Sequence, residues 1–277
     1  MSQSLDNRRY KPIGVFDSGV GGLTVAREIM RQLPGERLIY FGDTARVPYG
    51  SKSKETITRY SRQIIRFLQE KGVKAIVVAC NTASALALPQ IRTEIAIPII
   101  GVVKPGAKVA AETTRNGRIG VIGTEATIGS QIYTRVIHEH NPAAEVIGKP
   151  CPLFVPLVEE GWRKDPITEE IARRYLDSFQ SSGIDTMIMG CTHYPLLRST
   201  LRRILGESVT LVNPAYETAQ SLKALLEEQD LVNDGRGNGE VPQYQFYVSD
   251  AADKFKEFAN TILPCEIEEA QLVHIEE

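Results

Sequence analysis

Nine short apolar runs divide this chain, at residues 13–16, 38–41, 75–79, 99–103, 119–122, 146–148, 187–189, 209–212 and 244–248. Stretches with helical periodicity fill the gaps. Several runs are apolar throughout, without the every-other-residue polarity of a half-exposed strand. Strands of that kind must be covered on both faces, the usual condition of a parallel sheet between helices. Ser53 is placed to cap a helix whose stripe runs Ile57, Tyr60, Ile64 and Phe67/Leu68 before Gly72 stops it. Pro166 opens another at a first-turn position, with Ile167, Ile171 and Tyr175 as its expected inner face and Gly183 as its end. A helix over 250–262 and a closing strand over 270–275 complete the pattern. The glycine-rich stretch 233–239 reads as a flexible surface connection. Strand–helix alternation of this kind makes an α/β protein.

The runs also repeat. Residues 11–15 (KPIGV) echo 117–121 (GRIGV), 74–82 (KAIVVACNT) echo 185–193 (DTMIMGCTH), and 99–107 echo 210–215, at displacements of 106, 111 and 109 residues. Three landmarks in one order at nearly one spacing indicate two similar α/β units. A length of 277 residues accommodates two modest domains. The expected fold is therefore two pseudo-symmetric domains with mostly parallel sheets flanked by helices. Residues 1–103 plus 214–277 form the first domain and 104–213 the second.

Ligand sites in open α/β sheets lie beyond the carboxyl ends of the strands. Three segments put reactive side chains there: Phe16-Asp17-Ser18-Gly19, Ala79-Cys80-Asn81-Thr82 and Gly190-Cys191-Thr192-His193. Cys80 and Cys191 fall at echoed positions. If the two units face each other, their thiols confront each other across a cleft. That geometry suits racemisation or epimerisation, in which one thiolate removes a proton from a carbon and the opposing thiol delivers one to its other face. A free thiol ionises near pH ~8.5, lower beside cations, so a thiol/thiolate pair is feasible near neutrality. The alternative is a pair of inert buried cysteines at strand ends. Asp17 either orients or deprotonates a neighbouring group, binds an ammonium, or caps a helix. His193 either polarises the adjacent thiol or is structural. Gly19-Val20-Gly21-Gly22 lacks nucleotide-binding spacing and reads as a tight turn that lets backbone approach a small anion. Tyr49-Gly50 either reaches the same mouth or is a simple turn.

Composition narrows the setting. Cys80, Cys151, Cys191 and Cys265 are too few for a disulfide framework and include no CxxC pair, so reduced thiols are expected. Cys151 and Cys265, beside prolines, read as structural. His138 and His140 lack a third ligand, so no metal is expected. The polar N-terminus and the absence of any run near ~18 apolar residues point to the cytoplasm and away from membranes. Thirty-two Lys+Arg against 34 Asp+Glu give a net charge of -2, which argues against a nucleic-acid partner.

Val15-Phe16-Asp17-Ser18-Gly19-Val20-Gly21-Gly22, Tyr40 to Gly50 (YFGDTARVPYG), Val78 to Ser84 (VACNTAS) and Gly190-Cys191-Thr192-His193-Tyr194-Pro195 closely resemble the cofactor-independent aspartate/glutamate racemase family, its glutamate-specific members in particular. The resemblance spans about two-thirds of the chain. It implies an active site in the cleft between the two domains, no cofactor, and Cys80 and Cys191 as paired proton donor and acceptor, Cys80 acting on D-glutamate and Cys191 on L-glutamate. It implies assisting roles for Asp17, His193 and Glu159. Asp17-Ser18, Tyr49-Gly50, Asn81-Thr82 and Thr192-His193 match the substrate-binding pairs, with Thr124 and Thr127 as further carboxylate contacts. The implied product is D-glutamate for peptidoglycan, made by a homodimer. Members regulated by a wall precursor carry a longer N-terminal extension than the ten or so residues here, so no such activator is expected. The rivals are a racemase of another acidic amino acid, such as aspartate, and a non-enzymatic thiol-based anion-binding or redox-sensing protein.

Overall fold

A computed structural model describes residues 8–233 and 243–275. Ten strands among them form two sheets in which every pairing is parallel. The six-stranded sheet runs β10-β9-β2-β1-β3-β4 and the four-stranded sheet β6-β5-β7-β8. The strands are β1 (Ile13–Asp17), β2 (Leu38–Gly42), β3 (Ala75–Val78), β4 (Ile99–Gly101), β5 (Arg118–Gly123), β6 (Glu145–Pro150), β7 (Thr186–Gly190), β8 (Thr210–Val212), β9 (Tyr244–Val248) and β10 (Gln271–Leu272). The sequence echo is visible in this topology. The order β2-β1-β3-β4 recurs as β6-β5-β7-β8, so β3, which leads into Cys80, and β7, which leads into Cys191, hold equivalent places.

The unbroken apolar runs follow from two-sided burial. In β3, Ala75 and Val77 join one core cluster while Ile76 and Val78 join another. In β7, Met187 and Met189 face one cluster and Ile188 the opposite one. Successive side chains point to opposite faces, and helices cover both faces, so neither register tolerates a polar residue. The helix Pro214–Glu228 places Ala215, Ala219, Leu222 and Leu226 in the cluster that contains Ile13 and Val15 of β1.

The echoed positions at the entry of β3 and β7 are both tied down. Lys74 Nζ pairs with the Glu36 carboxylate and donates to the carbonyls of Arg9 and Leu231, fully buried. Asp185 accepts from the backbone N–H groups of Arg115 and Asn116 and from the Thr114 hydroxyl. Buried charge survives there because each group is saturated with partners.

Helix ends follow the sequence in part. The helix Lys54–Glu70 begins at Ser53, whose Oγ accepts from Thr56 N at 3.2 Å, and Gly72 follows with φ 74°. The helix Pro166–Gln180 buries Thr168, Ala172, Leu176 and Phe179, and of the expected stripe Ile171 and Tyr175 pack partly buried against the same core. Ile167 is 53% exposed, and Ile171 and Tyr175 lie at the border. Asp165 caps this helix, its Oδ1 accepting from Ile167 N at 2.8 Å. The expected strand over 99–103 ends at Gly101, because Val103 opens the helix Val103–Thr113. Residues 234–239 of the expected surface connection lie outside the described residues.

Candidate active site

Beyond the carboxyl ends of β1, β3, β5 and β7 lies a cavity of about 340 Å³. Cys80 enters it from one sheet and Cys191 from the other, 5% and 6% exposed. Cys80 follows β3 and caps the helix Asn81–Leu86. Its Sγ accepts from Ala83 N at 3.5 Å and donates to Ser18 Oγ at 3.7 Å. Cys191 stands 3.8 Å from His193 Nδ1, and His193 Nε2 lies 2.9 Å from Glu159 Oε1. Thiol, imidazole and carboxylate thus form a relay on one side of the cavity.

The two thiols sit in opposite electrostatic settings. Burial and the charge of Asp17 push the Cys80 thiol up to about 12, against the smaller pull of Ala83 N–H and Ser18. On the other side, burial opposes a charged His193, but its hydrogen bonds and charge attraction to Cys191 and Glu159 prevail and raise it to about 10. Burial likewise opposes the Glu159 carboxylate, yet the hydrogen bond and charge of His193 hold it below its ordinary value. A neutral Cys80 thiol therefore faces a Cys191 sulfur whose neighbour is an imidazolium.

Ser18, Tyr49, Gly50, Asn81, Thr82, Thr124, Glu159, Thr192 and His193 all line this cavity with the two cysteines. Asp17 does not. It is fully buried behind the wall, where its Oδ2 accepts from Gly19 N at 3.0 Å. Burial pushes its carboxyl above the usual range, with the charge of His193 and three backbone N–H groups pulling the other way. Thr127 lies beneath the lining, its hydroxyl 3.0 Å from Thr124 Oγ1 and 3.3 Å from Thr82 Oγ1. Thr82 follows β3 and Thr124 follows β5, so this hydroxyl trio stitches the two sheets together. The Tyr49 hydroxyl donates to Asp43, a buried carboxylate that also holds Arg46 and Ser249, which leaves the ring as cavity wall.

The glycine turn packs tightly against its neighbours, with Gly19 in the cavity lining. Its Gly19 N–H is already bound by Asp17. A Cβ on Gly21 would stand 2.3 Å from Thr192 Oγ1 and 2.5 Å from the His193 ring, and one on Gly22 would stand 2.4 Å from the Asp17 side chain. These glycines let the first turn press against the Cys191 loop, a contact reinforced by Thr24 Oγ1 donating to Thr192 O at 2.9 Å.

Several participants lie outside the expected site residues. Val47, Pro48, Val155 and Pro156 form an apolar wall. Tyr133 donates to Asn81 Oδ1 at 2.6 Å from beneath the lining. Neither group carries a reactive side chain, and both come from segments far from the cysteines in sequence. Cys151 and Cys265 lie outside the cavity, and His138 bonds the carbonyl of Ala144. Among the described residues no cluster of His, Cys, Asp and Glu is arranged to hold a metal, and no helix is long and apolar enough to cross a membrane.

Known proteins are similar to this one along almost the whole chain. A protein from Geobacter metallireducens named glutamate racemase is 48% identical over 267 residues, covering 96% of this chain and 98% of its own. The crystal structure of a glutamate racemase isoform from Bacillus anthracis superposes with a TM-score of 0.90 at 38% identity, covering 97% of this chain and 98% of that one. The glutamate racemase of Francisella tularensis, solved in complex with D-glutamate, gives a TM-score of 0.89 at 40% identity over 97% and 99% of the two chains. The model of the Asp/Glu/Hydantoin racemase family matches residues 13–222, and the chain belongs to that family.

Proposed function

We infer that this chain is an amino-acid racemase that interconverts L- and D-glutamate through Cys80 and Cys191. The observation that carries this reading is the placement of two thiols at equivalent strand ends, entering one cavity from two sheets. A planar carbanion between them is accessible from both faces. With L-glutamate, Cys191 as thiolate takes the α-proton, and protonated His193, steadied by Glu159, supplies the countercharge. Cys80 enters this direction already protonated and donates to the opposite face. The reverse direction needs a Cys80 thiolate. The substrate's α-ammonium, carried into a buried cavity, favours that anion.

Ser18, Asn81, Thr82, Thr124 and Thr192 offer hydroxyl and amide groups suited to two carboxylates. The apolar wall of Val47, Pro48, Val155 and Pro156 covers the methylenes and keeps water out, which strengthens each hydrogen bond to the developing charge. The proposed division into domains, 1–103 with 214–277 and 104–213, puts one thiol on each, with Thr82 and Thr124 meeting across the cleft. On the family resemblance, the enzyme is a cytoplasmic homodimer that uses no cofactor and supplies D-glutamate for peptidoglycan.

Incubation with L-glutamate, D-glutamate and L-aspartate in turn, without pyridoxal phosphate or metal, tests the substrate. Circular dichroism of either glutamate enantiomer is expected to decay to zero while that of L-aspartate persists. Decay of aspartate with stable glutamate would overturn the assignment.

A further inference from the structure

Tyr133, on the helix Ile132–His140, is 3% exposed and takes no part in the roles assigned above. Its hydroxyl donates to Asn81 Oδ1 at 2.6 Å. Its ring lies beneath the other cysteine loop, where a Cβ on Gly190 would come 3.2 Å from Tyr133 Cε2. One side chain therefore touches the residue after Cys80 and the residue before Cys191.

A primary amide has one acceptor oxygen and two N–H donors, and the same shape serves either way round. With Oδ1 taken by the phenol, Nδ2 is the end that remains. Asn81 lines the cavity, and among the described residues no protein group accepts from Nδ2. Burial holds the phenol far above its ordinary ionisation range, so it stays a donor at any working pH. We propose that Tyr133 is a positioning residue that locks the Asn81 amide with its Nδ2 toward the cavity, as a donor to a carboxylate of the substrate. A flipped amide would turn its carbonyl oxygen on that carboxylate, replacing a hydrogen bond with repulsion. This inference rests on the glutamate reading, since only an anionic group gives the orientation its value.

The test is a double-mutant cycle read by calorimetric titration with D-glutamate, every protein of the cycle also carrying Cys80→Ala so that the titrant is not racemised. Tyr133→Phe keeps the ring under Gly190 and removes the donor. It is expected to weaken D-glutamate binding about tenfold, with the melting temperature near that of the protein carrying Cys80→Ala alone. In an Asn81→Ala background the same substitution is expected to change binding less than about twofold, because the amide it orients is gone. Unchanged affinity in Tyr133→Phe overturns the proposal. So does an equal loss in both backgrounds, which would assign the tyrosine a purely structural role. The glutamate-racemisation reading fails separately: binding of D-glutamate by the unaltered protein without loss of its circular dichroism would sink the activity and leave the cycle readable.

Discussion

Alanine in place of Cys80 is expected to lower the racemisation rate by on the order of 10³-fold or more, and alanine in place of Cys191 to do the same. Each substitution removes the thiol that carries the α-proton on its face of the cavity. Ser18 and the threonine hydroxyls are too weakly acidic to replace it. Each exchange also removes a single sulfur from a small cavity wall, so the melting temperature should move by a few degrees at most. The enantiomers have equal free energies, so kcat/KM must fall by the same factor in both directions whichever thiol is lost. Progress curves from L- and from D-glutamate, with thermal denaturation as the control, provide the check. A variant that keeps a tenth of the original rate with either cysteine absent would contradict the two-thiol assignment.

The relay beside Cys191 gives the second large effect. His193 is held protonated up to about 10, whereas an unfolded histidine loses its proton near pH ~6.5. A base with a raised folded value contributes stability that is complete below about pH 6.5 and is lost as pH rises toward 10. The substitution His193→Asn removes this contribution. The difference in melting temperature between the two proteins should be widest near pH 6, shrink through pH 8 and vanish near pH 10. The His193→Asn variant, having no countercharge for a thiolate at Cys191, should also lose most of its racemase rate at every pH. A melting difference independent of pH would mean that His193 is neutral in the folded protein and that the relay carries no charge.

The sequence is informative where chemistry and periodicity are local. Runs such as AIVV at 75–78 announce a two-sided strand, since any partner arrangement buries both faces. The repeated strand-to-cysteine segments announce both the duplicated topology and the two thiols. Local signals fail where spatial neighbours decide. Ile167 outweighs Thr168 in bulk, yet Ile167 is 53% exposed while Thr168 is fully buried, its hydroxyl donating to Trp162 O. The glycine turn is visible in the sequence, but not that Gly21 must make room for Thr192 and His193, 171 and 172 residues away in the chain. Asp17 adjoins Ser18 in sequence but points behind the wall, a distinction that only the turn geometry makes. Tyr133, Val155 and Pro156 carry no reactive group, so nothing short of the assembled cleft identifies them.

The central claim is that two groups on opposite faces of one carbon exchange a proton for a solvent proton. It is tested most directly by L-glutamate turnover in deuterium oxide, stopped early and resolved by chirality before mass analysis. Two thiols predict that newly formed D-glutamate carries one deuterium at Cα from the first turnovers, while the remaining L-glutamate stays protiated. D-glutamate that retains the original proton would mean that a single base serves both faces, and would contradict the account.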